Sequence, residues 1–203
     1  MPLTQYDYNL HPRSNLTEDD ICYYFMEHTG GGYLASPSND KISNFKKPVS
    51  VKGTNQWPHK QKAIRQFIAD LGTITFKDTD HEMMIVPGTT SKPRSDNDWD
   101  NRIDKVAEGF SDKFSHLSIG KIIDTKDVVV PSSHGGDRDM LIIKGNTIWD
   151  GNCPDTADTI VIVDDVLTTG AHFKAWKEFI LESCPEVKYV IGIFWALHTW
   201  SDE

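Results

Sequence analysis

Cysteine is scarce in this chain of 203 residues: Cys22, Cys153 and Cys184 are odd in number, far apart and without CxxC spacing, which excludes a disulfide framework or a cysteine zinc site. A reducing, cytoplasmic setting is expected. Long apolar runs are missing too. No stretch approaches the roughly 18 residues of a membrane helix. The opening MPLTQYDYNLHPR has neither the basic start nor the apolar core of a signal peptide, so no membrane partner is expected. Positive charge is in deficit, with 21 Lys+Arg against 30 Asp+Glu and a net charge of -9. No broad field therefore attracts nucleic acid or anionic lipid, and any anion must be held locally. The eight histidines show no HxxxH or HxH pairing, which leaves no zinc signature. What is present, 38% hydrophobic and 25% charged residues, is the composition of a globular protein built as one compact unit.

The capping-box variant Thr17-Glu18-Asp19-Asp20, followed by Ile21, Tyr24, Phe25 and His28, predicts a helix that the glycines after Thr29 end. Residues 33–58, rich in Pro, Ser, Asn and Lys, read as irregular. His59–Leu71 reads as a helix with an Ala63, Ile64, Phe67, Ile68, Leu71 stripe. Residues 1–80 thus form a helical and irregular cap or hood, and residues 81–203 a core in which strand and helix alternate. In that core Glu82–Pro87 is a strand, Trp99–Phe114 a helix capped from Asp96 to Asp98, Asp124–Val130 and Met140–Ile143 shorter strands, and Thr159–Val163 an aliphatic, buried strand. Helix Ala171–Ser183 and strand Lys188–Trp195 follow. The fold class expected is α/β, with a central, mostly parallel sheet flanked by helices.

Chemistry concentrates in Thr159-Ile-Val-Ile-Val-Asp164-Asp165-Val166-Leu167-Thr168-Thr169-Gly170-Ala171-His172. Two acids at the carboxyl end of a buried strand lie where open α/β sheets place ligands, and paired carboxylates suit sugar hydroxyls or a hydrated metal. Two hydroxyl side chains, a glycine free to take positive φ and a helix N-terminus come next. Such a terminus offers free N–H groups and a favourable dipole to a phosphate. The plain alternative is a strand–helix connection with capping threonines and solvated acids.

This segment resembles the phosphoribosyl pyrophosphate (PRPP) signature of type I phosphoribosyltransferases, most closely the DDVLTTGAT form of the ComF-like members. The resemblance implies that Asp164 and Asp165 meet the ribose hydroxyls, and hold Mg²⁺ through water. It implies that Val166, Leu167, Thr168, Thr169, Gly170, Ala171 and His172 wrap the 5′-phosphate. His172 departs from the family's Thr or Ser and adds a titratable ring. Thr168 stands where 6-oxopurine enzymes carry an acid, which argues against hypoxanthine or guanine as the base. The family's pyrophosphate loop would correspond to Thr89, Thr90, Ser91, Lys92 and Arg94, following the first core strand. Its mobile loop would fall in residues 124–145, with Arg138 and Lys144. Tyr23, Tyr24, Phe25, Trp57 and Trp200 are candidates to stack on a base, although core positions are the plainer reading for most of them. Phe45 and Trp57 mark a candidate surface for a homodimer or a larger assembly.

The reaction implied is displacement of pyrophosphate from PRPP by a nitrogen nucleophile, with Mg²⁺ neutralising the leaving group. The alternative keeps the fold as a non-catalytic PRPP- or nucleotide-sensing module, or as an effector module acting within a larger assembly. A receiver domain is excluded by spacing, since only 38 residues follow Asp165 and no later acceptor Asp and Lys can be placed.

Overall fold

The computed structural model describes residues 1–30, 32–130 and 139–200. Among these residues the strands are β1 (Thr4–Gln5), β2 (Ile21–Thr29), β3 (Met83–Pro87), β4 (Leu117–Ile119), β5 (Ile123–Thr125), β6 (Thr147–Trp149), β7 (Thr159–Leu167) and β8 (Tyr189–Thr199). The helices are α1 (Pro37–Phe45), α2 (Trp57–Leu71), α3 (Arg102–Ser111), α4 (Met140–Gly145) and α5 (Ala171–Ser183). The central sheet has the order β1-β2-β8-β7-β3-β4, parallel throughout except for β1, and β5 pairs with β6 in a separate antiparallel ribbon. The expected α/β class with a mostly parallel sheet flanked by helices is therefore observed.

β7 sits in the middle and explains why its sequence is continuously aliphatic: Ile160 and Ile162 face one apolar core, Val161 and Val163 the other. One core packs α1, α2 and α3 against the sheet through Phe45, Phe67, Phe110 and Trp195. The second packs α5 through Phe173, Trp176 and Ile180. Side chains alternating across a strand bury both faces at once. No described helix is long and apolar enough to cross a membrane.

Several expectations are corrected. Residues 21–29 are a strand rather than a helix, paired in parallel with β8 from Ile21↔Ile191 to Thr29↔Thr199. The capping-box contact did form, since Asp20 accepts from the Thr17 N–H at 2.9 Å, but it closes a turn. Ile-Cys-Tyr-Tyr-Phe favours a pleated, half-buried surface, and β8 offers it an open edge. The segment 1–80 accordingly contributes β1 and β2 to the same sheet as the rest of the chain. Residues 37–45 are helical rather than irregular. Ser36 caps the Asn39 N–H and Pro37 occupies the first turn, two start signals present in the sequence.

Residues 140–145 form a helix rather than a strand, capped by Asp139; a short apolar run does not distinguish the two. Of residues 124–130 only the first two belong to a strand. The helix expected over Trp99–Phe114 is shorter, and its N-cap residue is Asn101 rather than one of the acids at 96–98. Cys153 and Cys184, 31 residues apart, are joined in a disulfide between the segment after β6 and the end of α5, so sequence distance misled. Phe45 is fully buried against Phe67 and Trp195 and presents no surface to a partner.

Candidate functional site

The segment 159–172 folds as a strand, a turn and a helix. β7 runs out at Leu167, Gly170 takes φ 79°, and α5, thirteen residues long, begins at Ala171. The left-handed backbone at Gly170 is one that L side chains avoid. Space forbids a side chain as well, because a Cβ there would lie 2.4 Å from Leu16 Cγ. Leu16 is brought in by Asn15, whose N–H donates to the Thr169 carbonyl at 2.7 Å. The N-terminal segment thus buttresses the turn, a contribution that the motif does not announce. Thr168, Gly170, His172 and Phe173 line a small cavity of about 30 Å³ with Asp164. The opening amides of α5 face no intrahelical acceptor, as at any helix start. His172 packs edge-on against Trp176.

The two acids are adjacent in sequence but lie on opposite faces of the sheet, as strand alternation requires. Asp164 is half-buried on the α5 side. It packs so close to Gly88 that a Cβ on that glycine would lie 3.0 Å from the carboxyl carbon and 3.0 Å from Trp176. It accepts the Asp165 N–H at 2.8 Å. Asp165 is buried on the other side, with Lys46 Nζ 3.1 Å from one carboxylate oxygen and Arg102 Nη2 3.1 Å from the other.

These surroundings drive the pair's acidities apart. Burial, then the charge of Asp165, raises Asp164 well above the usual carboxylate range. Burial also disfavours charge on Asp165, but the cations Lys46 and Arg102 outweigh it and hold that group below the range. The site therefore offers one firmly charged carboxylate and one that resists ionisation.

The cations around Asp165 form an ordered network from α1, α2 and α3. Arg102 also donates to Asp100 at 2.8 Å. Asp100 accepts from Lys60 at 2.7 Å, and Lys60 is nearly inaccessible, holding the carbonyls of Phe45 at 2.9 Å and Lys47 at 2.7 Å. Burial draws the Lys60 pKa down, against the pull of Asp100. Nearby, at the carboxyl ends of β2 and β8, His28 Nδ1 and His198 Nδ1 approach to 3.2 Å. Burial, followed by the charges of His198 and Lys46, lowers the pKa of His28. Neither Lys46 nor the histidine pair was singled out from sequence. Their roles arise from strand register and helix packing, which one sequence alone does not display.

The expected pyrophosphate loop starts beside the acids, since Pro87 pairs with Val163 and the Gly88 N–H donates to the Val163 carbonyl at 2.9 Å. Its cations are engaged elsewhere. Lys92 pairs with Asp96 at 3.4 Å and Asp98 at 3.1 Å. Arg94 donates to the Ile123 carbonyl at 2.7 Å and to Asp104 at 3.3 Å, and its N–H donates to Asp124. Thr90 accepts from Thr125 through its carbonyl at 2.6 Å, and Ser91 accepts the Val129 N–H at 2.9 Å. The loop is laced to β5 and its flank.

Lys144 lies on α4 and pairs with Glu182 at 2.6 Å and Glu178 at 3.6 Å of α5. At about 1.5 Å rise per residue, Glu182 is about 15 Å along α5 from its first residues, so Lys144 is not gathered with the acids. Arg138 lies outside the described residues. Of the aromatic candidates, Phe25 is core, whereas Trp200 carries Arg13 over its ring at 5.4 Å. No protein-family model matches the chain, and no curated protein matches it.

Proposed function

We propose that this chain binds PRPP and transfers its phosphoribosyl group to a nitrogen nucleophile, a base or an amine, with release of pyrophosphate. What supports this reading is the strand–turn–helix at β7–α5: an acid pair at the carboxyl end of a central parallel strand leads into a Thr-Thr-Gly turn whose left-handed glycine opens a long helix. That order puts hydroxyl acceptors next to a phosphate-binding helix start.

Asp165 keeps lone pairs on both carboxylate oxygens beyond those taken by Lys46 and Arg102, so it accepts ribose hydroxyls without releasing its cations. Its negative charge faces the positive charge that develops on the ribose ring as the bond to pyrophosphate lengthens. The threonine hydroxyls and the α5 amides hold the 5′-phosphate and fix the ring, so positioning rather than covalent attack lowers the barrier. Among the described residues no three His, Cys, Asp or Glu side chains converge as metal ligands; a Mg²⁺ carried in with PRPP would be held through water by the carboxylates of Asp164 and Asp165. When bound, Mg²⁺ neutralises charge on the leaving diphosphate.

A second reading, a PRPP- or nucleotide-sensing module without transfer, draws on the engagement of Lys92 and Arg94 in ion pairs within the protein. Backbone NMR separates the site from the rest of the molecule. Ribose 5-phosphate is expected to shift the amide signals of residues 168–172. Shifts confined to the opposite end of the sheet, around His81 and Lys188, overturn the proposal. Pyrophosphate release on addition of PRPP with candidate bases and amines then tells transfer from sensing.

A further inference from the structure

We infer that Lys46 and Arg102, rather than Lys92 and Arg94, hold the diphosphate end of the ligand. This inference rests on the PRPP reading above and assigns its second anion to the far side of β7. The 5′-phosphate end belongs to α5 on one face of the sheet. Asp165 points to the other face, where α1, α2 and α3 converge, and the cations that touch the motif itself are Lys46 and Arg102, each 3.1 Å from it.

Charge and satisfaction both favour an anion there. Lys46, Lys60 and Arg102 stand against Asp100 and Asp165, three cations to two carboxylates, in a chain whose net charge is -9. His28, next to them, is held toward its neutral form and adds no charge to that excess. Arg102 leaves its Nε–H without a hydrogen-bond partner within the protein, so not all of its donors are committed to Asp100 and Asp165. Lys46 is the more accessible of the two, its side chain 34% exposed, and its ammonium has three donors of which Asp165 takes one.

The arrangement is also set in advance. Lys60 clamps the carbonyls on either side of Lys46 and, through Asp100, fixes Arg102. By contrast Lys92 serves Asp96 and Asp98, and Arg94 serves Asp104, Asp124 and the Ile123 carbonyl. An anion at Lys92 or Arg94 would meet cations already outnumbered by their own carboxylates, Asp96 and Asp98 for the one, Asp104 and Asp124 for the other. One at Lys46 and Arg102 adds to a cation surplus.

The test is calorimetric titration of PRPP, pyrophosphate and ribose 5-phosphate, each with Mg²⁺, into the wild type and the Lys46→Ala, Lys46→Arg and Lys92→Ala variants. Circular dichroism first establishes that each is folded. A charge-assisted contact is expected to make Lys46→Ala weaken PRPP and pyrophosphate about tenfold or more. Ribose 5-phosphate binding should be unchanged in that variant, Lys46→Arg should restore most of the loss, and Lys92→Ala should match the wild type. Equal weakening of ribose 5-phosphate and PRPP by Lys46→Ala overturns the assignment, because Lys46 would then act only through Asp165. Loss confined to Lys92→Ala overturns it too and leaves the PRPP reading standing. A wild type that binds none of the three ligands removes both.

Discussion

Asparagine substitutions at the two adjacent acids should move stability in opposite directions, although the side chains differ by a single atom type. Asp165→Asn removes the charge that balances Lys46 and Arg102, each 3.1 Å away, in a setting where Asp165 is 6% exposed. Stripping one member from a buried pair costs about 3–5 kcal/mol when nothing else compensates. Here Arg102 retains Asp100 at 2.8 Å, Lys46 can turn to solvent, and the asparagine carbonyl still accepts, which reduces the cost to about 2 kcal/mol. Asp164→Asn removes a carboxyl that burial and its neighbour already hold back from ionising, and its carbonyl still accepts the Asp165 N–H. That variant should be neutral or stabilising at neutral pH.

With a urea slope of about 2 kcal/mol/M, Asp165→Asn lowers the unfolding midpoint by about 1 M. pH separates the two further. Asp164 is raised in the folded state, so its contribution is complete below the unfolded carboxylate range and is lost as pH rises through the folded pKa. Asp165 is lowered, so its contribution is complete above that range and is lost as pH falls through the folded pKa. Asp164→Asn should therefore flatten the decline of stability toward neutral pH, and Asp165→Asn the decline toward acid. Urea unfolding followed by tryptophan fluorescence from pH 4 to 8 reads both. Equal destabilisation by the two variants, or none by Asp165→Asn, refutes the account of the pair.

Three further outcomes follow from the packing around α5 and α2. Gly170→Ala should cost about 1–2 kcal/mol for its left-handed backbone, with more from the clash with Leu16; Leu16→Ala in the same chain should recover the second part in a double-mutant cycle. Asp20 is fully covered and takes Lys174 at 2.6 Å and Lys177 at 2.8 Å, which outweigh its burial and hold it below the usual range. Asp20→Asn should lower stability by about 2 kcal/mol at neutral pH and flatten the acid limb of thermal unfolding, since the lost term is itself lost as pH falls. Lys60→Met should loosen α1 from α2, seen as faster hydrogen exchange at the α1 amides, while the exchange of β7 stays slow.

The parallel core was legible in the sequence because buried strands are written as aliphatic runs: residues 159–163 and 188–195 announced β7 and β8, and the stripe at Ala63, Ile64 and Phe67 announced α2. β2 was misread because Ile21, Tyr24, Phe25 and His28 fit a helical period as well as a strand. The neighbouring β8 settled the matter, and no local signal names it. The candidate turn was legible residue by residue, since glycine, hydroxyl and acid each have a local physical reason to be there. Its surroundings were not. Lys46 reaches Asp165 across more than a hundred residues of chain, Leu16 reaches Gly170 likewise, and Cys153 finds Cys184 only once α5 is docked. Contacts of that kind are set by tertiary packing, which leaves no periodic trace.

On the proposed function, the β7–α5 turn and its acid pair bind a ribose phosphate carrying a diphosphate. Calorimetric titration of PRPP into the wild-type protein, with and without Mg²⁺, tests it most directly. The account predicts Mg²⁺-dependent binding in the micromolar range that Asp165→Asn weakens severely in protein still folded at the assay temperature. Absence of any heat of binding for PRPP at millimolar concentration, or binding that Asp165→Asn leaves untouched, contradicts it.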